Sequence, residues 1–287
     1  MKYFHARLTG SLCVLLLTLT FAGLTAAQKL TAEELIAKHR DSIGAKDKLS
    51  ALKSSMAVGI SEIESKFPSK KTNGKAVVAS RGDNYMFLVS LNSQEYPFEK
   101  IGYFENRINL PFVTAGKRSP LGTFIAEHEK MLTTGVFTGA MASSWALLDA
   151  NLSGARTKTA GKRKVNGKEV YALEYWPKGM DSAEFTIMLF FDSETFRHVR
   201  TEYRHTINPA QDTFGSLGRQ AGVRQTVIES FGDFKTVDGL TFPYAYDIHY
   251  TTESNSGTYE FFWRLALQQY MINPNLDANF FTFEKKA

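Results

Sequence analysis

The sequence predicts a mainly β protein (α+β class): a short helical entry followed by one curled antiparallel sheet. Three observations carry this reading. The apolar period changes from helical spacing to two after Ser54. Asn-Gly and Asp-Gly turns separate the alternating segments. Several of those segments are apolar on both faces.

The first element is an export label. Lys2 and Arg7 form a basic start, and 12–24 is an apolar run of 13 residues. That is short against the roughly 20 residues of a membrane-spanning helix and suits a signal peptide. Thr25-Ala26-Ala27 supplies small residues, so cleavage is expected after Ala27, with an uncleaved anchor as the alternative. Cys13 opens the apolar run, whereas a lipid-accepting cysteine closes it. The expected mature chain is a single domain, 28–287, that carries no cysteine. It holds 32 basic and 29 acidic residues, a formal charge of +3. Disulfides, thiolate metal sites and a cysteine nucleophile are excluded from that body. The charge is too mild and mixed to favour nucleic acid.

Thr31-Ala32-Glu33-Glu34 reads as a capping box opening a helix. Leu35, Ile36, and His39 or Ile43 follow at helical spacing, with Gly44 as its C′ residue. A second short helix is expected over 45–52, with Leu49 and Leu52 on one side.

Strands are expected at 84–91, 168–176, 183–191, 197–207, 225–234, 242–251 and 258–267. Asn166-Gly167, Asp192-Ser193-Glu194-Thr195 and Asp238-Gly239 mark turns between them, and Arg81-Gly82-Asp83 is the turn before 84–91. A central helix is expected over 119–132, and 140–148 is a second candidate. The segments 66–74, 115–119 and 212–222 are polar and glycine-rich, which predicts loops.

A one-sided antiparallel strand alternates cleanly. Here Met188 and Phe190 interrupt the polar side of 183–191, and Phe262 and Ala266 do so in 258–267. Phe242, Tyr244, Tyr246, Ile248 and Tyr250 share one face. Such a sheet curls around a helical plug or around a hollow for an apolar ligand.

The chemistry-bearing residues form no catalytic set. His198, Arg200, Glu202 and Arg204 are expected on one strand face as a solvated charge ladder, with His205 on the other, so the two histidines share no metal. Glu127-His128-Glu129 lacks the second histidine of a zinc-protease helix. Gly215-Ser216-Leu217-Gly218 is not a nucleophile elbow, and no phosphate loop or dinucleotide fingerprint is present. The reading is therefore not an enzyme, with no cofactor and no metal.

Leu30-Thr31-Ala32-Glu33-Glu34-Leu35-Ile36-Ala37-Lys38-His39, continuing through Ile43-Gly44-Ala45-Lys46-Asp47-Lys48-Leu49 and Ala51-Leu52-Lys53-Ser54, resembles the entry helix of the outer-membrane lipoprotein-sorting (LolA/LolB-like) superfamily. Phe231-Gly232-Asp233-Phe234-Lys235 with Val237-Asp238-Gly239-Leu240-Thr241-Phe242-Pro243 resembles its late hairpin, and Asn273-Pro274-Asn275-Leu276-Asp277 with Phe280-Phe281 resembles its ending. About 105–160 matches less clearly. The resemblance implies a curved antiparallel half-barrel, its concave face covered by the N-terminal helix and a central helical segment. Its hollow would bind acyl chains in the periplasm, as a monomeric transport chaperone or lipoprotein carrier. Inner- and outer-membrane transfer proteins would be its partners. The residues expected to line the hollow are Phe87, Val89, Phe185, Ile187, Leu189, Tyr244, Tyr246, Phe261 and Trp263, with ordinary core packing as the alternative for each. The competing function is a non-catalytic envelope interaction or structural module with a filled core.

Overall fold

Twelve antiparallel strands form one continuous sheet in a computed structural model that describes residues 30–149, 151–180, 184–207 and 222–283. The expected export label lies outside the described residues, as does 212–222 apart from Gly222. Strands β1 (Ser54–Lys66), β2 (Ser69–Arg81), β3 (Asn84–Leu91), β4 (Phe98–Phe104) and β5 (Arg107–Asn109) step outward to one edge. Strands β6 (Arg156–Val165), β7 (Lys168–Trp176), β8 (Phe185–Asp192) and β9 (His198–Ile207) start from the other edge. They continue through β10 (Val223–Val237), β11 (Leu240–Ser254) and β12 (Gly257–Ile272), and β12 pairs with β1. The sheet is curved and open, with β5 and β6 as its edges, which is the predicted half-barrel class.

The chain passes from β5 to β6 through 110–155, and this connection fills the inner face. Its Leu121, Phe124, Met131, Phe137 and Trp145 are buried in the same core as Phe87, Tyr203, Tyr246 and Trp263 of the sheet. The single predicted helix over 119–132 is two, α3 (Pro120–Glu127) and α4 (Lys130–Thr133), because the backbone leaves helical angles at His128 (φ −129°, ψ 52°). The second candidate, 140–148, is two 3-10 turns, Gly139–Met141 and Ala146–Leu148.

Helix α1 (Ala32–Ile43) opens with the predicted capping box: Glu34 N–H donates to Thr31 Oγ1 at 3.2 Å, and Thr31 N–H donates to Glu34 Oε2 at 2.9 Å. Leu35, Ile36, His39 and Ile43 are its buried face. Gly44 is not the left-handed C′ residue expected. Its φ is 166°, and its reason is close approach, since a Cβ there would stand 2.7 Å from the Gly239 carbonyl oxygen. Helix α2 (Lys46–Ala51) follows, with Leu49 half-buried against the core.

Both Gly hairpins have the predicted chemistry. Asn166 and Gly167 (φ 50° and 80°) and Asp238 and Gly239 (φ 53° and 85°) adopt paired positive φ, as a two-residue I′ turn requires. The segment 66–74 is not a loop but the β1–β2 hairpin, with Lys66 opposite Ser69 and Glu62 opposite Asn73. Its polar side chains gave no alternation to read, and cross-strand ion pairs such as Lys71–Glu62 at 2.7 Å occupy its exposed face.

The second apolar face has three local explanations. Leu276 and Phe281 near the C-terminus cover Ala79 and Met86 on the outside of β2 and β3. Val170, Ala172 and Phe190 form a small outer cluster with Met188 and Val199. Phe262 stacks on His249 (4.2 Å) and is capped by the Arg264 guanidinium at 4.8 Å.

Candidate functional site

The inner face of the sheet is a packed core. Of the nine residues expected to line a hollow, Phe87, Val89, Phe185, Ile187, Leu189, Tyr246 and Trp263 are fully buried there against the 110–155 connection. Tyr244 and Phe261 are half-buried at its margin, and Tyr244 packs on Tyr270 at 5.1 Å.

Open space lies at the rim instead. A groove of about 800 Å³ runs between the β1–β2 hairpin, the 92–96 turn and the 113–120 segment. Ile63, Phe67, Tyr96, Val113 and Phe261 give it an apolar lining, so Phe261 is the one of the nine that reaches it. Phe67 is 65% exposed at the hairpin tip. Lys70, Lys71, Lys117 and Arg118 also line it together with Glu95, and Lys70 is ion-paired to Glu95 and Lys71 to Glu62.

A buried carboxyl, Glu99 on β4, lies behind Tyr96 and Ser119 of the lining. Tyr96 Oη–H donates to Glu99 Oε2, and Ser119 Oγ–H donates to Oε1 of the same carboxyl at 2.8 Å. Ser119 is also the N-cap of α3 and accepts from Gly122 N–H at 2.8 Å. Trp263 Nε1–H donates to Tyr96 Oη at 3.2 Å. Burial pushes the Glu99 pKa up to about 7 against the opposing pull of these donors.

A second buried carboxyl, Glu229 on β10, fastens the connection to the sheet. It accepts from Thr138 N–H (2.7 Å), Tyr203 Oη–H (2.7 Å) and Tyr246 Oη–H. Burial lifts its pKa to about 7, and burial beside it holds both tyrosine hydroxyls well above their ordinary value, so they stay donors. Gly139, the next residue, has φ 53°, and a Cβ there would stand 2.7 Å from His198 Nδ1.

Helix α1 holds the far end of the connection. Trp145 Nε1–H donates to His39 Nε2 at 2.9 Å, and Arg40 donates to the Leu147 and Asp149 carbonyls at 2.5 and 2.6 Å. His198 stacks on Trp145 at 4.9 Å. This corrects the expected face of His198. The register shift at Phe190/Phe191 leaves Val199 as an extra residue, turning His198 inward beside Thr201, while Arg200, Glu202 and Arg204 stay on the outer face as ion pairs, with Glu202 buried between the arginines rather than solvated. His205 does not join His198. It meets the ring of His128 at 4.4 Å.

The groove leaves no sequence signal because the facing ends of β1 and β2 and the 92–96 and 113–120 segments that frame it carry mixed polar patterns. Sequence reading also missed Glu99 and Glu229, whose sequence neighbourhoods resemble those of exposed strand acids. Tyrosines at strand positions facing inward were the available signal for buried acceptors.

No family model matches the chain, and no curated protein sequence matches it. Among solved structures, it is similar to an outer membrane lipoprotein-sorting protein domain from Vibrio parahaemolyticus, with 15% identity, TM-score 0.45, and coverage of 87% of this chain and 95% of that one. It is similar to a LolA superfamily protein from Nitrosomonas europaea, with 16% identity, TM-score 0.46, and coverage of 88% and 98%. A DUF1329 family protein from Desulfovibrio piger matches with 12% identity, TM-score 0.45, and coverage of 87% and 96%.

Proposed function

We propose that the protein is an exported, periplasmic, non-catalytic binding protein that shields acyl chains, as a monomeric carrier serving lipid or lipoprotein sorting toward the outer membrane. The groove carries this reading. Its volume of about 800 Å³ lies within the roughly 300–1,000 Å³ of ligand sites. Its apolar lining accepts methylenes, each worth about 0.8 kcal/mol when removed from water. Lys117 and Arg118 suit an anionic headgroup at the rim. A longer chain would reach the inner face once the 110–155 connection loosens from α1, bringing Phe87, Phe185, Leu189 and Tyr246 into the site. Client transfer between inner- and outer-membrane proteins needs no covalent step in this scheme.

The filled inner face favours a second reading, an envelope interaction module whose half-barrel is simply packed. Titration with a fluorescent fatty-acid probe separates the two. A carrier binds the probe saturably, and Phe67→Glu at the exposed tip weakens binding at least about tenfold, since an ionised carboxyl is costly to desolvate. A module with a filled core binds no probe, and that result would end the carrier reading.

A further inference from the structure

A second site stands apart from the groove, where the central connection touches β9. Glu127 ends α3, His128 is the residue that caps it, and His205 projects from β9. One ligand-type atom from each lies within 4.8 Å of the others. Glu127 is exposed, and both histidines are half-buried.

The two imidazoles are held as acceptors rather than left loose. His128 stacks on Phe185 (centroids 4.1 Å, 13° between planes) and meets His205 edge-on. His205 Nδ1–H donates to Gln225 Oε1 at 3.1 Å, and Gln225 Nε2 donates to Tyr250 Oη at 3.3 Å. That chain fixes the tautomer and leaves the lone pair on His205 Nε2, the outer-shell arrangement found behind metal-bound histidines. Nε2 of His128 is buried with no hydrogen-bond partner among the described residues. A buried unsatisfied nitrogen is uncommon in a folded chain and calls for a missing partner.

We propose that Glu127, His128 and His205 bind one divalent transition-metal ion of the zinc class. Two borderline imidazole nitrogens select zinc over calcium or magnesium, and one carboxylate oxygen with water at the fourth position completes a set that zinc accepts. Donor atoms around tetrahedral zinc stand about 3.4 Å apart, so rotation of the exposed Glu127 and small ring movements complete the set. Glu127 and His128 belong to the 110–155 connection and His205 to the sheet. The ion therefore pins the connection to the wall of β9, at the opposite end from the α1 contacts. The site is independent of whether the groove takes an acyl chain, and its readout contains no lipid.

The test is calorimetric titration of the chelator-stripped mature chain with Zn²⁺ alone, with Mg²⁺ and Ca²⁺ as controls. One zinc ion per chain with micromolar or tighter affinity is expected, together with a rise in Tm and no response to the hard cations. Glu127→Gln, at an exposed position, and His205→Gln should each weaken binding at least about tenfold, the lower range for altering a metal's ligand environment. Should His205→Gln fail to fold, carbethoxylation of the wild type decides: zinc should protect His128 and His205 together. Absence of stoichiometric binding overturns the proposal, and so does binding that Glu127→Gln leaves unchanged while zinc protects other histidines.

Discussion

Trp145 donates its indole N–H to Nε2 of His39 across 2.9 Å, while Nδ1–H of the same imidazole donates to the Phe196 carbonyl at 3.1 Å. One neutral ring thereby joins the central connection, α1 and the β8–β9 turn. Burial pushes the His39 pKa down to about 4. Because the folded value lies below the ordinary 6.5, the unfolded chain binds the extra proton between these values. The contribution of His39 is complete above pH 6.5 and is lost as pH falls toward 4. Replacing Trp145 with Phe leaves a buried nitrogen unsatisfied, so stability at pH 7 should drop by on the order of 1–3 kcal/mol from that cause alone. Denaturant unfolding measures it, and an unchanged midpoint would contradict the assignment.

Glu229 predicts the opposite pH slope. Its folded pKa of about 7 lies above the unfolded 4.5, so the folded state holds the proton longer and stability falls as pH rises from 4.5 to 7. The amplitude is on the order of 3 kcal/mol. In Glu229→Gln, Tm followed across that window should lose the Glu229 share of the fall, while the share of Glu99, raised to about 7 as well, and the opposite component from the buried histidines persist. A wild-type slope in the variant would mean that Glu229 is ionised in the fold throughout.

Arg40 is the polar clasp on the connection. Arg40→Ala removes both donors to the Leu147 and Asp149 carbonyls. The variant should expose the apolar inner face more often, raising binding of a hydrophobic fluorophore severalfold while far-UV dichroism stays native. Equal fluorophore binding in both proteins would show that the connection is anchored elsewhere.

Gly44→Ala tests close approach rather than backbone strain. The new Cβ would press on the Gly239 carbonyl oxygen and on Leu240 Cδ2 at 2.8 Å. Overpacking of this kind typically costs about 1–3 kcal/mol. Thermal unfolding should show that loss, whereas a left-handed requirement at Gly44 is ruled out by its extended φ.

Much of the fold was legible because its local signals were strong. The Thr31–Glu34 box and the Asn166-Gly167 and Asp238-Gly239 turns each depend on a few adjacent residues. The β1–β2 hairpin was not, since Lys70, Lys71 and Asn73 look like a loop until Glu62 is placed across the strand pair. His198 was misassigned because one extra residue, Val199, reverses strand parity, and a bulge leaves no trace in a period-two count. Apolar character on both faces suggested a hollow. Part of it instead serves outer clusters, such as Phe281 on Met86 and Phe190 on Val170, that only long-range topology reveals. The pairing of His128 with His205 lies equally beyond sequence spacing, because the connection carries His128 across the inner face to meet His205 beside Phe185 on the sheet.

Native mass spectrometry of the protein purified without detergent exchange from cells producing it tests acyl-chain binding most directly. The chain should arrive with bound lipid, and Phe67→Glu should lose that added mass while retaining its fold. A bare wild-type chain that also takes up no added fatty acid would contradict the carrier account.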